Sequence, residues 1–197
     1  MSRRQRRSAA FTLLELLLVM AIIGFLAAIV LPSLQPAVYD QLRSTAQILA
    51  TDLSYARSLA VANNDNYRIT FDLTGNTYTM THSGANPALN TLPWTPFSSS
   101  TDTPTQHIVN LGNLPHVGPL VRLSAVATSG TTYQSVTTVE YGSLGQTIRA
   151  DPTVVWLMAG AGTSRRYISL QVDPVTGLVQ VNGYSNVGPP QGVTQVL

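Results

Sequence analysis

An uncharged stretch of 24 residues near the N-terminus constrains the fold more than any other feature of this chain. It runs from Leu16 to Tyr39 and follows a leader with arginine at four of its first seven positions. About 20 apolar residues are enough to cross a bilayer as a helix. Positively charged residues beside a span stay on the cytoplasmic side. The sequence therefore predicts a membrane helix whose N-terminus is cytoplasmic and whose remaining chain lies on the far side.

Two other export signals are alternatives for this segment. An ordinary secretory signal has a shorter apolar core followed by a small-x-small cleavage site, whereas this stretch is longer and carries Glu15 near its start. A twin-arginine signal has an apolar residue soon after the pair, but Arg3-Arg4 is followed by Gln5-Arg6-Arg7. Both patterns fit less well than a retained helix.

Glu15 needs an explanation, because an ionised carboxylate at the bilayer centre costs about 2.5 to 3.5 kcal/mol. Thr12 and Glu15 have the spacing of a capping box, in which both side chains satisfy free N–H groups of the first helical turn. A glutamate there also suits the positive end of the helix dipole. The alternative is a cut between Ala10 and Phe11, which would leave a free amine one turn before Glu15.

The residues around this junction resemble the class III prepilin leader and methylation motif of type IV pilins and type II secretion pseudopilins. Arg7-Ser8-Ala9-Ala10 precedes Phe11-Thr12-Leu13-Leu14-Glu15, which gives a basic leader, a small residue, Phe, a hydroxyl residue and then Glu. The departure is Ala10, where this family usually has Gly. The resemblance implies cleavage between Ala10 and Phe11 by a prepilin peptidase, N-methylation of Phe11, and a role for Glu15 in docking that amine during filament assembly.

The same resemblance implies a location and a set of partners. The chain would reside in the inner membrane as a single-pass protein, with its globular domain periplasmic or external, and would then join a pseudopilus or pilus. Its partners would be membrane lipid before assembly, the prepilin peptidase, the inner-membrane assembly platform and other pilin or pseudopilin subunits.

A second helix is predicted by an apolar stripe with steps of three and four residues. Its members are Leu42, Ala46, Leu49, Leu53, Ala56 and Ala60, and Asp40, Arg43, Asp52 and Arg57 fall off it. The stripe is expected to pack on the chain's own sheet, and a coiled-coil partner is the alternative. Joined to the membrane segment, the helix would run from about residue 12 to residue 63. Helix breaks are predicted at Gly24 and Pro32, with Pro36 loosening the helix further.

Downstream the apolar period changes to two, which is typical of strands. A β-hairpin is predicted from strands at 67–72 and 77–81, and further strands are predicted at 120–127, 137–141, 153–158, 167–172 and 178–181. Residues 173–177 form a predicted tight turn. The predicted fold class is therefore α+β: a long N-terminal helix, half membrane-embedded and half amphipathic, packed on an antiparallel β-sheet domain.

This order of elements resembles the minor-subunit branch that includes pseudopilin H and FimT. The expected organisation is a cleaved leader (1–10), a transmembrane or filament-core half-helix (11–36), an amphipathic half-helix (37–64), a β-rich domain (65–182) with a long loop (83–107), and an irregular tail (183–197). The resemblance implies a minor pilin or pseudopilin that serves as a structural subunit.

Motifs for enzymatic chemistry are absent from the sequence. The chain has no cysteine, and it has no GxSxG, HExxH, P-loop or GxGxxG motif. His82, His107 and His116 lack the spacing of metal ligands. We therefore expect no enzyme activity, no cofactor and no metal. Trp94 and Phe97 are expected to anchor the long loop.

A DNA-binding minor pilin acting in DNA uptake is the alternative function. Arg165-Arg166-Tyr167 could grip a phosphate backbone, although from Phe11 onward seven arginines face nine acidic residues. DNA-binding members of the group carry arginines near the C-terminus, and this chain has none after Arg166. Solvated arginines at a strand edge, paired with acids such as Asp151, are the favoured interpretation.

Overall fold

The computed structural model of the chain describes residues 12–33, 38–94, 101–114 and 121–196. It divides into two units, Met1–Pro36 and Ala37–Leu197. The described part of the first unit is helix α1 (Leu13–Ser33), and the second unit holds helix α2 (Val38–Asn63) followed by the strands. Ala10 and Phe11, the predicted cleavage residues, lie outside the described residues.

Helix α1 is continuous from Leu13 to Ser33, so it passes through Gly24 and contains Pro32. The predicted break at Gly24 is wrong, because one glycine costs a helix interior only about 1 kcal/mol. Pro32 does not break the helix either. It lies in the last turn, where a missing N–H removes one hydrogen bond and little helix remains to be disrupted. Residues 34–37, which include Pro36, lie outside the described residues, and melting within a filament stays a prediction.

Helix α2 buries the predicted apolar stripe. All six members of the stripe are fully buried, and α2 contacts strands of both sheets. The stripe therefore packs on the chain's own sheets, as expected, and not on a coiled-coil partner. The helix ends at Asn63, where Asn64 takes a left-handed φ of 50° and the Asp65 N–H donates to the Ala60 carbonyl at 3.2 Å. This is the common way in which an Asn terminates a helix.

Two antiparallel sheets form the rest of the second unit. Their strands are β1 (Tyr67–Asp72), β2 (Thr77–His82), β3 (His107–Asn110), β4 (Val121–Ser129), β5 (Tyr133–Ser135), β6 (Thr138–Tyr141), β7 (Thr153–Ala159), β8 (Arg166–Val172) and β9 (Val179–Ser185). The four-stranded sheet has the order β3-β2-β1-β6, and the five-stranded sheet has the order β5-β4-β7-β8-β9. The main core lies where α2 covers these sheets. The α+β class predicted from the sequence is confirmed.

The predicted hairpin is present as β1 and β2. Its turn is closed by Asp72, whose carboxylate accepts the N–H groups of Thr74 and Gly75 at 3.0 Å each. Asn76 follows with a left-handed φ of 53°. The Asn76 amide donates to the Val121 carbonyl at 3.0 Å and accepts from Leu123 N–H at 2.8 Å. This one side chain therefore joins the hairpin to β4 of the other sheet.

The structure adds two strands that the sequence did not predict and extends a third. β3 and β5 are four and three residues long, too short to show a clear alternation, and β9 continues to Ser185. The predicted loop also contains a turn of 3₁₀-helix at Pro87–Leu89.

The C-terminal tail is irregular but packed on the protein. Val193 is buried with Ala125, Ala127, Val154 and Trp156 in a second apolar cluster. Two backbone N–H groups of the tail also donate hydrogen bonds to the rest of the second unit. Thr194 N–H donates to Ser135 Oγ at 2.7 Å, and Val196 N–H donates to the Ser124 carbonyl at 3.0 Å. The face of the five-stranded sheet away from the main core is thus partly covered by the chain's own end.

Candidate functional site: the start of the first helix and the Arg165–Arg166 pair

The first turn of α1 is capped by Thr12. The N–H of Glu15 lies 3.2 Å from Thr12 Oγ1 and 3.1 Å from the Thr12 carbonyl oxygen. This is one half of the predicted capping box. Among the residues that the structure describes, none forms a hydrogen bond or an ion pair with the Glu15 carboxylate. The described cap is therefore made by the Thr12 side chain and does not involve the Glu15 carboxylate.

The described side chains of α1 are exposed on every side of the helix. Every residue from Thr12 to Leu26 is exposed, and between these two residues only Glu15 carries a charge. Within the described ranges, no helix combines the length and the apolar character of a membrane span. An all-round apolar surface is stable only against apolar surroundings.

Arg166 is part of the internal structure of the second unit. It is the first residue of β8, which lies between β7 and β9 and so is not an edge strand. Its Nε donates to Tyr39 Oη at 2.9 Å, and its Nη1 donates to the Arg165 carbonyl at 2.7 Å. The described residues place no carboxylate in ion-pair contact with either arginine. The expected strand-edge pairing with acids such as Asp151 is therefore wrong.

Tyr39 is the residue that brings this arrangement together. Tyr184 of β9 donates its hydroxyl to the Tyr39 carbonyl at 2.7 Å, and the two rings meet edge to face at 5.0 Å. Together with the hydrogen bond from Arg166 of β8, this contact joins both β8 and β9 to the first turn of α2. No local sequence pattern marks this junction, because Tyr39 is 127 residues from Arg166 and 145 from Tyr184.

The described histidines are held by hydrogen bonds to single acids and an amide. The ring nitrogens of His82 lie 2.8 Å from Asn90 Oδ1 and 3.1 Å from Asp65 Oδ2. His107 Nδ1 lies 2.7 Å from Asp102 Oδ2. Within the described ranges, no three side chains form a group that could hold a metal ion. These contacts fasten the long loop to the strands that flank it.

The long loop is not anchored by Trp94 in the described structure. Trp94 is 79% exposed, so the expectation that it anchors the loop is wrong. Leu92 packs against the main core instead, and its N–H donates to the Pro104 carbonyl at 2.8 Å. His116 and Phe97 lie outside the described residues.

A buried carboxylate on α2 was missed by the sequence pattern. Asp52 falls off the apolar stripe, yet it is 7% exposed and accepts a hydrogen bond from Tyr78 Oη. Burial raises the pKa of Asp52, and the Tyr78 hydrogen bond opposes that rise only in part. Burial, together with the neighbouring carboxylate, also raises the pKa of Tyr78 well above its usual range. The stripe shows only apolar residues, so a polar pair inside the same core leaves no mark on it.

Comparison with known families identifies the N-terminal segment. Residues 5–31 match the model of the prokaryotic N-terminal methylation motif. The matched range contains the Ala10–Phe11 junction, Thr12, Glu15 and Gly24. The methylation motif predicted for this segment is confirmed.

Solved structures with a similar arrangement share little sequence with this chain. The type IV minor pilin FimU of Pseudomonas aeruginosa aligns at 17% identity over 77% of this chain and 94% of that chain, with a TM-score of 0.48. The minor pseudopilin EpsH from the type II secretion system of Vibrio cholerae aligns at 13% identity over 74% of this chain and 95% of that chain, with a TM-score of 0.49. No curated protein sequence matches this chain.

Proposed function

We propose that this chain is a minor subunit of a type II secretion pseudopilus or a type IV pilus, a structural protein that assembles through its N-terminal helix. The observation that carries the proposal is the methylation motif over residues 5–31. The structure supports the proposal further, because the motif leads into an exposed apolar helix with a single carboxylate in its first turn.

Processing is the first step of the proposed mechanism. Before assembly the chain is stored in the inner membrane, with the arginine leader on the cytoplasmic side and the second unit on the opposite side. Prepilin peptidase cuts between Ala10 and Phe11, and Phe11 is N-methylated. Removal of Arg3 to Arg7 matters physically, because four guanidinium groups would otherwise have to enter the apolar core of a filament.

Docking of Glu15 is the second step. Thr12 caps α1 through its own hydroxyl, so the Glu15 carboxylate is not needed to begin the helix. In the filament this carboxylate pairs with the Phe11 amine of a neighbouring subunit, and the assembly platform delivers each subunit to the growing end. Neutralising one partner of a charge pair in apolar surroundings costs about 3 to 5 kcal/mol, because the other charge is left buried and unpaired.

DNA capture has less support as the main function. Arg166 already donates hydrogen bonds to Tyr39 and to the Arg165 carbonyl, so it would have to give up internal contacts to bind phosphate. The choice between secretion and pilus systems rests on which filament incorporates the chain.

The assembly test compares Glu15→Gln with Thr12→Ala in cells that build the filament. The amide keeps the size of Glu15 and its ability to accept a hydrogen bond, but removes the charge. Thr12→Ala removes the cap, which is worth about 1 kcal/mol, and keeps the charge. We expect normal processing of both variants, a large loss of Glu15→Gln from sheared filaments, and a small loss of Thr12→Ala. Wild-type incorporation of Glu15→Gln would contradict the docking role.

The processing test is the intact mass of the protein extracted from membranes. We expect a mature chain that begins with monomethylated Phe11. Retention of Met1 in assembled filaments, or a cut after the apolar run, would contradict the proposed processing.

A further inference from the structure

A pocket of about 320 Å³ opens on the face of the five-stranded sheet that points away from α2. Its floor is formed by outward-facing residues of β7, β8 and β9, including Trp156, Tyr167, Gln171 and Asn182. One wall is formed by Val187, Gly188 and Pro190 of the C-terminal tail. The volume is at the lower end of ligand sites, which span about 300 to 1,000 Å³, and suits one small cyclic unit of a longer molecule.

Aromatic rings line the apolar part of the pocket, and among them Tyr133 is 42% exposed whereas Trp156 and Tyr167 are buried. Tyr133 and Trp156 meet at 5.9 Å with their planes inclined by 61°, and Tyr167 lies on the next strand. A Cβ built on Gly188 would come within 2.9 Å of the Tyr167 ring, so the tail backbone lies directly against that ring. The rings are thus held in place by the sheet on one side and by the tail on the other.

The polar part of the pocket is made of side chains that both donate and accept hydrogen bonds. Ser169, Gln171, Asn182 and Ser185 are all lining residues, and Asn182 Nδ2 donates to Ser169 Oγ at 3.0 Å. Amide and hydroxyl groups offer both a donor and an acceptor. None of the residues that line the pocket carries a charge.

These features discriminate among ligand classes. A phosphate or carboxylate ligand would need a cation, and the lining has none. An extended peptide pairs with an unpaired strand edge in the plane of the sheet, whereas this pocket opens on the face of the sheet over β7, β8 and β9. A sugar ring has apolar C–H faces that can lie on aromatic rings, and a rim of hydroxyls that each donate and accept. That chemistry matches the two halves of the pocket.

We propose that this pocket binds a neutral saccharide unit, with a ring face against the exposed ring of Tyr133 and with hydroxyls bonded to Gln171 and Asn182. A filament subunit with such a site would contact an uncharged glycan outside the inner membrane. The site lies wholly within the second unit and does not depend on how the filament assembles.

The test is a fluorescence titration of the full chain in a zwitterionic detergent, because sugar-headed detergents would compete for the site. The chain has two tryptophans, so Trp94→Phe leaves Trp156 as the sole reporter. The probes are cellotriose, maltotriose, mannotriose and chitotriose. We expect saturable binding of at least one probe, unchanged by about 0.5 M NaCl because no charges are involved.

Two pocket variants and one matched control complete the test. Gln171→Ala and Asn182→Ala should each weaken binding by about two- to tenfold, the equivalent of one hydrogen bond. Gln47→Ala truncates an exposed amide on α2 and should leave binding unchanged. The proposal is overturned if no probe binds below about 10 mM, or if Gln47→Ala weakens binding as much as the pocket variants do. It is equally overturned if a proline-rich peptide or a DNA oligonucleotide binds the pocket and the saccharides do not.

Discussion

Replacing Asp52 by asparagine should stabilise the second unit near neutral pH. Asp52 is buried on α2 and accepts the Tyr78 hydroxyl, and its pKa is raised chiefly because burial disfavours the charged form. An asparagine carbonyl can accept the same hydrogen bond without a charge. Because the net environment disfavours ionisation, the neutral isostere should be the better occupant once Asp52 ionises.

The pH dependence gives this prediction its sign. A carboxyl whose folded-state pKa is raised contributes full stability below its unfolded value near 3.8, and that stability is lost as pH rises through the folded value. Each unit of upward shift corresponds to about 1.4 kcal/mol. Asp52→Asn should therefore match the wild type near pH 4 and exceed it progressively toward pH 7, by about 2 to 4 °C in Tm for each kcal/mol.

Two further variants separate the charge from the hydrogen bond. Asp52→Ala leaves the Tyr78 hydroxyl buried without its acceptor and should cost about 1 to 3 kcal/mol near pH 4, and less toward pH 7 because the wild type loses stability as Asp52 ionises. Tyr78→Phe leaves the carboxylate without its donor and should cost about 1.5 to 3 kcal/mol, mainly above pH 4. Thermal unfolding of the full chain, followed by near-ultraviolet circular dichroism between pH 4 and 8, measures all three. A constant difference between Asp52→Asn and the wild type over that range, or a destabilised Asp52→Asn at pH 7, would refute the reasoning.

Three other predictions concern single positions of the second unit, each measured as a change in Tm of the full chain. Gly177→Ala should destabilise by more than about 2 kcal/mol, because its φ is +66° and a Cβ would clash with the Gly145 carbonyl oxygen; Gly192→Ala has a φ of +90° but open space, so an equal loss there would rule out the clash. Asn76→Ala should cost about 2 to 4 kcal/mol through two lost hydrogen bonds and a strained backbone, and a loss under about 1 kcal/mol would contradict that role. Tyr141→Phe should be neutral or stabilising by about 1 kcal/mol, because its hydroxyl is buried with no hydrogen-bond partner among the described residues; marked destabilisation would point to a partner that the described residues do not include.

Local signals explain what the sequence predicted well. The α2 stripe and the first hairpin each depend on residues close together in the chain, and both are found. The turn after β8 is another example, since the Asp173 carboxylate accepts the N–H groups of Val175 and Thr176 and Gly177 takes a left-handed φ. In each case the physical cause lies within a few residues and is therefore visible in the sequence.

Long-range contacts explain what the sequence did not predict. Asp52 lies 26 residues from Tyr78, and Arg166 lies 127 residues from Tyr39. Neither partner is marked by the pattern around it, so the sequence suggested a solvent-facing acid and a solvated arginine. Arg57 is similar, because its Nε donates to the Gly145 and Thr176 carbonyls of two separate turns. A charged residue off an apolar stripe can thus be a link between elements.

The candidate sites also differ in whether their residues lie close together in the sequence. The methylation motif could be found from the sequence because it is a contiguous segment, over residues 5–31. The proposed cleavage junction and Glu15 both lie within it. The pocket could not be found in this way, since its lining comes from β5, β7, β8, β9 and the tail. No single segment of the sequence contains enough of it to be recognised.

The two units differ in where their apolar surface is satisfied, and this difference bears on the proposed mechanism. The second unit buries its own core between α2 and the sheets. The described apolar side chains of α1 from Leu13 to Leu26 are exposed, and in the proposed mechanism they are covered first by lipid and then by another subunit. Burial of apolar area against lipid or against neighbouring helices gives nearly the same hydrophobic free energy, because both surroundings are apolar. A specific polar contact is then what can favour the filament over the membrane, and Glu15 is the only charged side chain on this stretch of α1 able to provide it.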